Sequence, residues 1–154
     1  MTTLTRADWE QRAKALKIEG RAYINGEYTA AVSGDTFECI SPVDGRLLAT
    51  VASCDASDAQ RAVENARATF NSGVWSRLAP AKRKSVMIRF AALLKANAEE
   101  LALLETLDMG KPISDSLNID VPGAAQALSW SGEAIDKIYD EVAATPHDQL
   151  GLVT

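Results

Sequence analysis

The chain has little of what most catalytic sites are made from. Its 154 residues include two cysteines and one histidine. Cys39 and Cys54 stand apart, with no CxxC and no histidine pair near either, so the spacing excludes a zinc-type site. Two ordinary thiols are expected, in a cytoplasmic protein where disulfides are rare. The lone His147 sits in a loop after Pro146 and carries no triad pattern. No GxGxxG follows a strand, and no glycine-rich loop ends in Gly-Lys-Ser/Thr. No apolar run approaches the ~20 residues of a membrane span. The opening MTTLTRADWEQRAK lacks the apolar stretch of a secretory signal. The net charge of −5 argues against a nucleic-acid footprint, and the one dense basic run, Lys82-Arg83-Lys84, is expected to be a solvated helix face.

What is present reads as short strands followed by helices. Asp8 to Ile18 carries Trp9, Ala13 and Leu16 at amphipathic helical spacing. Asn25-Gly26 between two tyrosine-bearing runs predicts a tight hairpin, because type I′ turns need positive φ at both central positions. A second hairpin is expected from Phe37–Ser41 to Leu47–Ala52, turning through Pro42-Val43-Asp44-Gly45. Asp55 or Ser57 caps the next helix, with Ser57 and Gln60 spaced as a capping box, and Gly73 ends it. Pro80 suits a first helical turn, and a break is expected near Asn97.

The octapeptide Glu105-Thr106-Leu107-Asp108-Met109-Gly110-Lys111-Pro112 is a helix stop: Gly110 can take the left-handed conformation and Pro112 cannot continue the helix. Asp108 then lies at the negative end of the helix dipole, where a cation would be favoured. A short piece at Ile113 to Leu117 precedes a helix starting at Asp120 and Pro122, whose stripe Ala125, Leu128, Gly132, Ile135, Tyr139 and Val142 predicts helix through to Val142. Pro146 closes it, and His147 to Thr154 reads as a lone apolar strand in need of a partner edge. That ending suggests the opening third of a larger protein.

Five segments in order, YINGEY (Tyr23 to Tyr28), SPVDG (Ser41 to Gly45), AVENAR (Ala62 to Arg67), Phe70 with Trp75, and ETLDMGKP (Glu105 to Pro112), resemble the aldehyde dehydrogenase family. Within it, the leading segment and the stretch IDVPGAAQALSWSGEAIDKIYDEVA look most like bacterial aminoaldehyde enzymes, the γ-glutamyl-γ-aminobutyraldehyde dehydrogenases. The resemblance implies an α/β fold with a Rossmann-type cofactor domain when complete. Of that fold, this chain would be a mostly helical part with two hairpins and a terminal strand. Residues 1–145 would belong to the NAD(P)-binding domain and 146–154 would begin the oligomerisation hairpin. It further implies NAD or NADP as cofactor, an aldehyde as substrate, and a homo-oligomer or self-associating chain. The catalytic cysteine, asparagine and glutamate would all lie beyond Thr154, leaving this chain inert alone. Two sites are implied on residues present: a Na⁺ or K⁺ ion held by Cys39, Ile40 and Asp108, and a substrate channel touched by Asp120 and Trp130. Gly123 stands where some relatives carry a second acid. The alternatives are a binding module that associates with full-length subunits, and a small enzyme using Cys39 or Cys54.

Overall fold

The protein is described by a computed structural model covering residues 4–139 and 141–153. Helix α1 (Arg6–Ala15) starts two residues earlier than the periodicity suggests, because Thr5 and Asp8 cap it reciprocally. The Asp8 N–H donates to the Thr5 hydroxyl at 3.3 Å, and the Thr5 N–H donates to the Asp8 carboxylate at 2.7 Å. Strands β1 (Ala22–Ile24) and β2 (Glu27–Thr29) form the expected hairpin, with Asn25 at φ 56° and Gly26 at φ 80°. The Tyr23 and Tyr28 rings meet edge to face, 5.0 Å between centroids. Strands β3 (Thr36–Ile40) and β4 (Leu47–Ala52) form the second hairpin, with a register shift between Cys39 and Ile40.

Helix α2 (Ala56–Ser72) is capped by Asp55, not Ser57, and its capping box is Asp55 with Asp58 rather than Ser57 with Gln60. An aspartate at the third helical position reaches back to the cap N–H as a glutamate would. Asp58 is almost fully buried and collects donors from three directions. It accepts from the Val32 N–H at 3.1 Å, the Asp55 N–H at 3.3 Å and the Arg61 guanidinium at 3.1 Å. One carboxylate thereby fastens the helix start to the segment leaving the first hairpin.

Helices α3 (Pro80–Ala96) and α4 (Ala98–Met109) are separated at Asn97, whose side-chain amide donates to the Leu93 carbonyl at 2.8 Å. The α4 stop is as expected: Gly110 is left-handed, at φ 72°. A single turn, α5 (Ile113–Asp115), leads through a π-helical turn (Ser116–Asp120) into α6 (Val121–Ala134). Pro122, which has no N–H to donate, stands at the second position of α6, just after that widened turn.

Helix α6 ends at Ala134, eight residues short of the expected Val142. Lys137 turns back and donates to the Glu133 carbonyl at 2.8 Å, satisfying a helix-end acceptor. Tyr139, on the expected helical stripe, is 82% exposed. Val142 instead lies in β5 (Glu141–Ala143), which pairs antiparallel with β6 (Gly151–Val153). The terminal strand therefore has a partner within the chain, contrary to the lone strand read from the sequence; Thr154 lies outside the described residues.

The basic run also differs from expectation. Lys84 is only 25% exposed and bridges α3 to the end of α6, 2.7 Å from Glu133 and 3.1 Å from Asp136. Arg83 has a buried Nε with no hydrogen-bond partner among the described residues. The periodicity of α3 does not reveal that α6 lies across it.

The three sheets are separate antiparallel pairs, and no parallel sheet occurs among the described residues. Among the described residues the buried apolar side chains are mostly small: Ala91, Ala102, Leu103, Val121 and Ala125 at the α3–α4–α6 junction, with Ala31 near the first hairpin. Phe37, Phe70, Phe90, Leu93 and Trp130 are exposed. Asp58→Ala removes the cap partner and leaves the Val32 N–H unpaired, so we expect a loss of about 2–4 kcal/mol, read as a lowered urea midpoint at unchanged slope.

Candidate functional site

The helix stop gathers the polar side chains that matter. Thr106, one turn before Gly110, donates its hydroxyl to Ser116 at 3.2 Å, and Ser116 is fully buried. This bond ties the end of α4 to the start of the π-turn. Just past the stop, the Lys111 ammonium donates to the Asp120 carboxylate and lies 3.8 Å from Glu105. All three side chains are about one-third exposed. The hydrogen bond to Asp120, followed by the attraction of that carboxylate and of Glu105, raises the Lys111 pKa above its ordinary value. Lys111 is therefore an ammonium throughout the neutral range.

Asp108 faces the other way, toward the second hairpin. The Cys39 thiol donates to its carboxylate at 3.4 Å, bringing together two of the three residues expected to hold a cation. The bond to Asp108 and then burial push the Cys39 thiol pKa up. The third residue, Ile40, sits at the register shift of the β3–β4 ladder, where Leu48 of β4 is the residue left without a partner. Cys39 and Asp108 share a groove of about 420 Å³ with Ile18, Leu48, Val51 and Leu104. No cluster of three His, Cys, Asp or Glu side chains able to hold a metal ion occurs among the described residues. An ion here would depend on backbone oxygens together with Asp108.

Asp120 and Trp130 do not meet. Asp120 closes the π-turn against Lys111, while Trp130, 73% exposed, stands about 15 Å further along the helix axis. Gly123, Ala127 and Trp130 follow Asp120 at intervals of three, seven and ten, along one exposed face. A side chain added at Gly123 would meet nothing within 4 Å, so that face is open beside Asp120.

Sequence reasoning missed Lys111 and Asp58. For Asp58 a signal existed, the D-x-x-D spacing from Asp55. For Lys111 there was none, since its partner lies across a turn whose π geometry no local pattern marks. Cys39 is hydrogen-bonded to a carboxylate, which opposes thiolate formation, and Cys54 is exposed. The described residues form neither a parallel sheet nor a glycine-rich strand-to-helix turn.

Residues 28–154 match the model of the aldehyde dehydrogenase family. The chain belongs to this family. It is 52% identical over 147 residues to the NADP/NAD-dependent aldehyde dehydrogenase PuuC of Escherichia coli (strain K12), a match covering 96% of the chain and 30% of that relative. Among solved structures, P. syringae AldA indole-3-acetaldehyde dehydrogenase, in a mutant form in complex with NAD⁺ and IAA, is 84% identical with a TM-score of 0.97, over 99% of this chain and 31% of that one. The γ-glutamyl-γ-aminobutyraldehyde dehydrogenase from Burkholderia cenocepacia J2315 is 52% identical with a TM-score of 0.95, over 97% and 30%. The chain thus spans about 30% of the length of the relatives it matches.

In this aldehyde dehydrogenase segment the Cys39–Asp108 contact is open to a direct check. The Asp108 carboxylate holds the thiol pKa up, so Asp108→Asn should lower it and make Cys39 react faster with iodoacetamide at mildly alkaline pH. Mass spectrometry would follow Cys39 with Cys54 as internal reference; an unchanged Cys39 rate would remove the contact.

Proposed function

We propose that this chain is the N-terminal segment of an NAD(P)-dependent aldehyde dehydrogenase that oxidises aldehydes, aminoaldehydes among them, to carboxylic acids, and that it is inert by itself. The observation that carries this is near-complete superposition, 99% of the chain at TM-score 0.97, on under a third of a dehydrogenase solved with NAD⁺. When bound in the complete enzyme, NAD or NADP accepts the hydride. The residues described here supply surface and support around that chemistry, not a reacting group.

In this reading residues 1–145 contribute to the cofactor-binding domain. The segment 146–154, with its partner strand β5, begins the oligomerisation hairpin of a cytoplasmic homo-oligomer. A Na⁺ or K⁺ ion sits between Cys39–Ile40 at the end of β3 and Asp108, which accounts for an acid at the negative end of α4. The Asp120 end of α6 and its open face toward Trp130 border the substrate channel. The partner in this reading is an aldehyde, with neither nucleic acid nor membrane, and the formal charge of −5 is unfavourable for a nucleic-acid partner.

A second reading, an assembly module that joins full-length subunits, is favoured by the exposed Phe70, Phe90 and Leu93 and by the two-stranded terminal sheet. The exposed apolar side chains lead us to expect that the isolated chain self-associates. Light scattering at increasing concentration should show species larger than the 16.5 kDa chain; a monodisperse monomer would count against this. Incubated with an aldehyde and either nucleotide, the chain should form no reduced nucleotide above the blank. Turnover that disappears in Cys39→Ser or Cys54→Ser would instead establish a small enzyme. Recovery of activity on mixing with the remaining two-thirds of a related enzyme would favour the assembly reading.

A further inference from the structure

We propose that Lys111 sets the charge selectivity of the substrate channel, its ammonium occupying the Asp120 carboxylate that would otherwise attract a cationic aldehyde. This rests on the reading that Asp120 borders that channel. Four observations on the molecule support it.

The Lys111 side chain is held from two sides, by Asp120 through a direct hydrogen bond and by Glu105 at 3.8 Å. It springs from the residue after Gly110, whose left-handed backbone, where an added Cβ would come within 3.1 Å of the Pro42 Cγ, fixes where the chain leaves α4. The carboxylate it holds is fixed as well, at the end of a π-turn bound to α4 through Thr106 and Ser116. Asp120 nevertheless keeps about a third of its surface, and the face beyond it, at Gly123 and Ala127, is open. A ligand running along α6 would meet the Asp120 carboxylate with a protein ammonium already in place.

The consequence for recognition is electrostatic. An ammonium-bearing aldehyde approaching Asp120 must share the carboxylate with Lys111 and is repelled by it, whereas an uncharged aldehyde of equal length is affected by neither. Without Lys111, Asp120 and Glu105 stand as two carboxylates with no local cation, and a cationic substrate gains most. Arginine at the same position keeps the charge and can keep the pair. Lys111 is thus a positioning and selectivity residue that acts through Asp120; no reacting atom is assigned to it.

The test uses the full-length dehydrogenase that carries this segment and compares kcat/KM for aminopropionaldehyde with that for butyraldehyde, a pair matched in size and differing in charge. Lys111→Met should raise the ratio of the cationic to the neutral substrate by about threefold, the change expected for roughly 0.65 kcal/mol at a partly exposed charge. Lys111→Arg should leave the ratio as in the wild type. Asp120→Asn alone should lower the ratio, since Lys111 then stands without its partner, and Asp120→Asn added to Lys111→Met should cancel the gain. Because both substrates are measured on the same preparation, a loss of folded enzyme cancels from the ratio; Lys111→Gln serves where the methionine variant is insoluble. A ratio unmoved by Lys111→Met and Lys111→Gln but moved by Asp120→Asn overturns the role of Lys111. A ratio that Asp120→Asn leaves unmoved overturns the placement of Asp120 at the channel, and the selectivity role with it.

Discussion

Close approach of α6 to α3 is the constraint on which the rest of this structure hangs. Gly132 permits it: a side chain there would bring its Cβ within 3.1 Å of the Met87 Cβ and 3.5 Å of the Ile88 Cδ1. Small buried residues, Ala91 on α3 and Ala125 on α6, continue the seam, and Lys84 closes it by bridging to Glu133 and Asp136. Because α6 is held in this way, the π-turn at its start is brought against the end of α4, where Thr106 and Lys111 meet Ser116 and Asp120. The polar cluster at the helix stop is thus a consequence of a packing contact made elsewhere on the same helix.

Such a seam is geometrically definite and energetically thin. A buried methyl contributes on the order of 0.8 kcal/mol, so a core made largely of alanines stabilises the chain much less than one of leucines and phenylalanines. The large apolar side chains are present, but Phe37, Phe70, Phe90 and Leu93 lie on the outside of the described structure. A chain spanning about 30% of the length of its relatives, with its large apolar groups facing outward, has the surface of a part that packs against more polypeptide.

Features governed by the dihedral preferences of one or two residues were legible in the sequence. The Asn25-Gly26 turn, the stops at Gly73 and Gly110, the start at Pro80 and the break at Asn97 stand where the pattern put them. Where periodicity alone was used it overran: the stripe from Ala125 to Val142 passed through a helix end that Lys137 makes by folding back on Glu133. The same overrun concealed β5 and made β6 look unpartnered. The basic run of α3 misled for a related reason, since exposure depends on what lies across a helix and not on its own spacing.

The sequence by itself determined the turns, the caps at glycine and proline, and the family, because each is written in residues adjacent along the chain or in motifs in order. Only the tertiary structure decided what the charged groups do. Asp58 reaches Val32 across 26 residues and Cys39 reaches Asp108 across 69. Lys111 and Asp120 are nine apart but meet only because the chain turns through α5 and a π-turn between them. Hydrogen bonds and ion pairs need atoms within about 3 Å, and no local preference specifies a separation of that order between elements whose relative placement comes from packing.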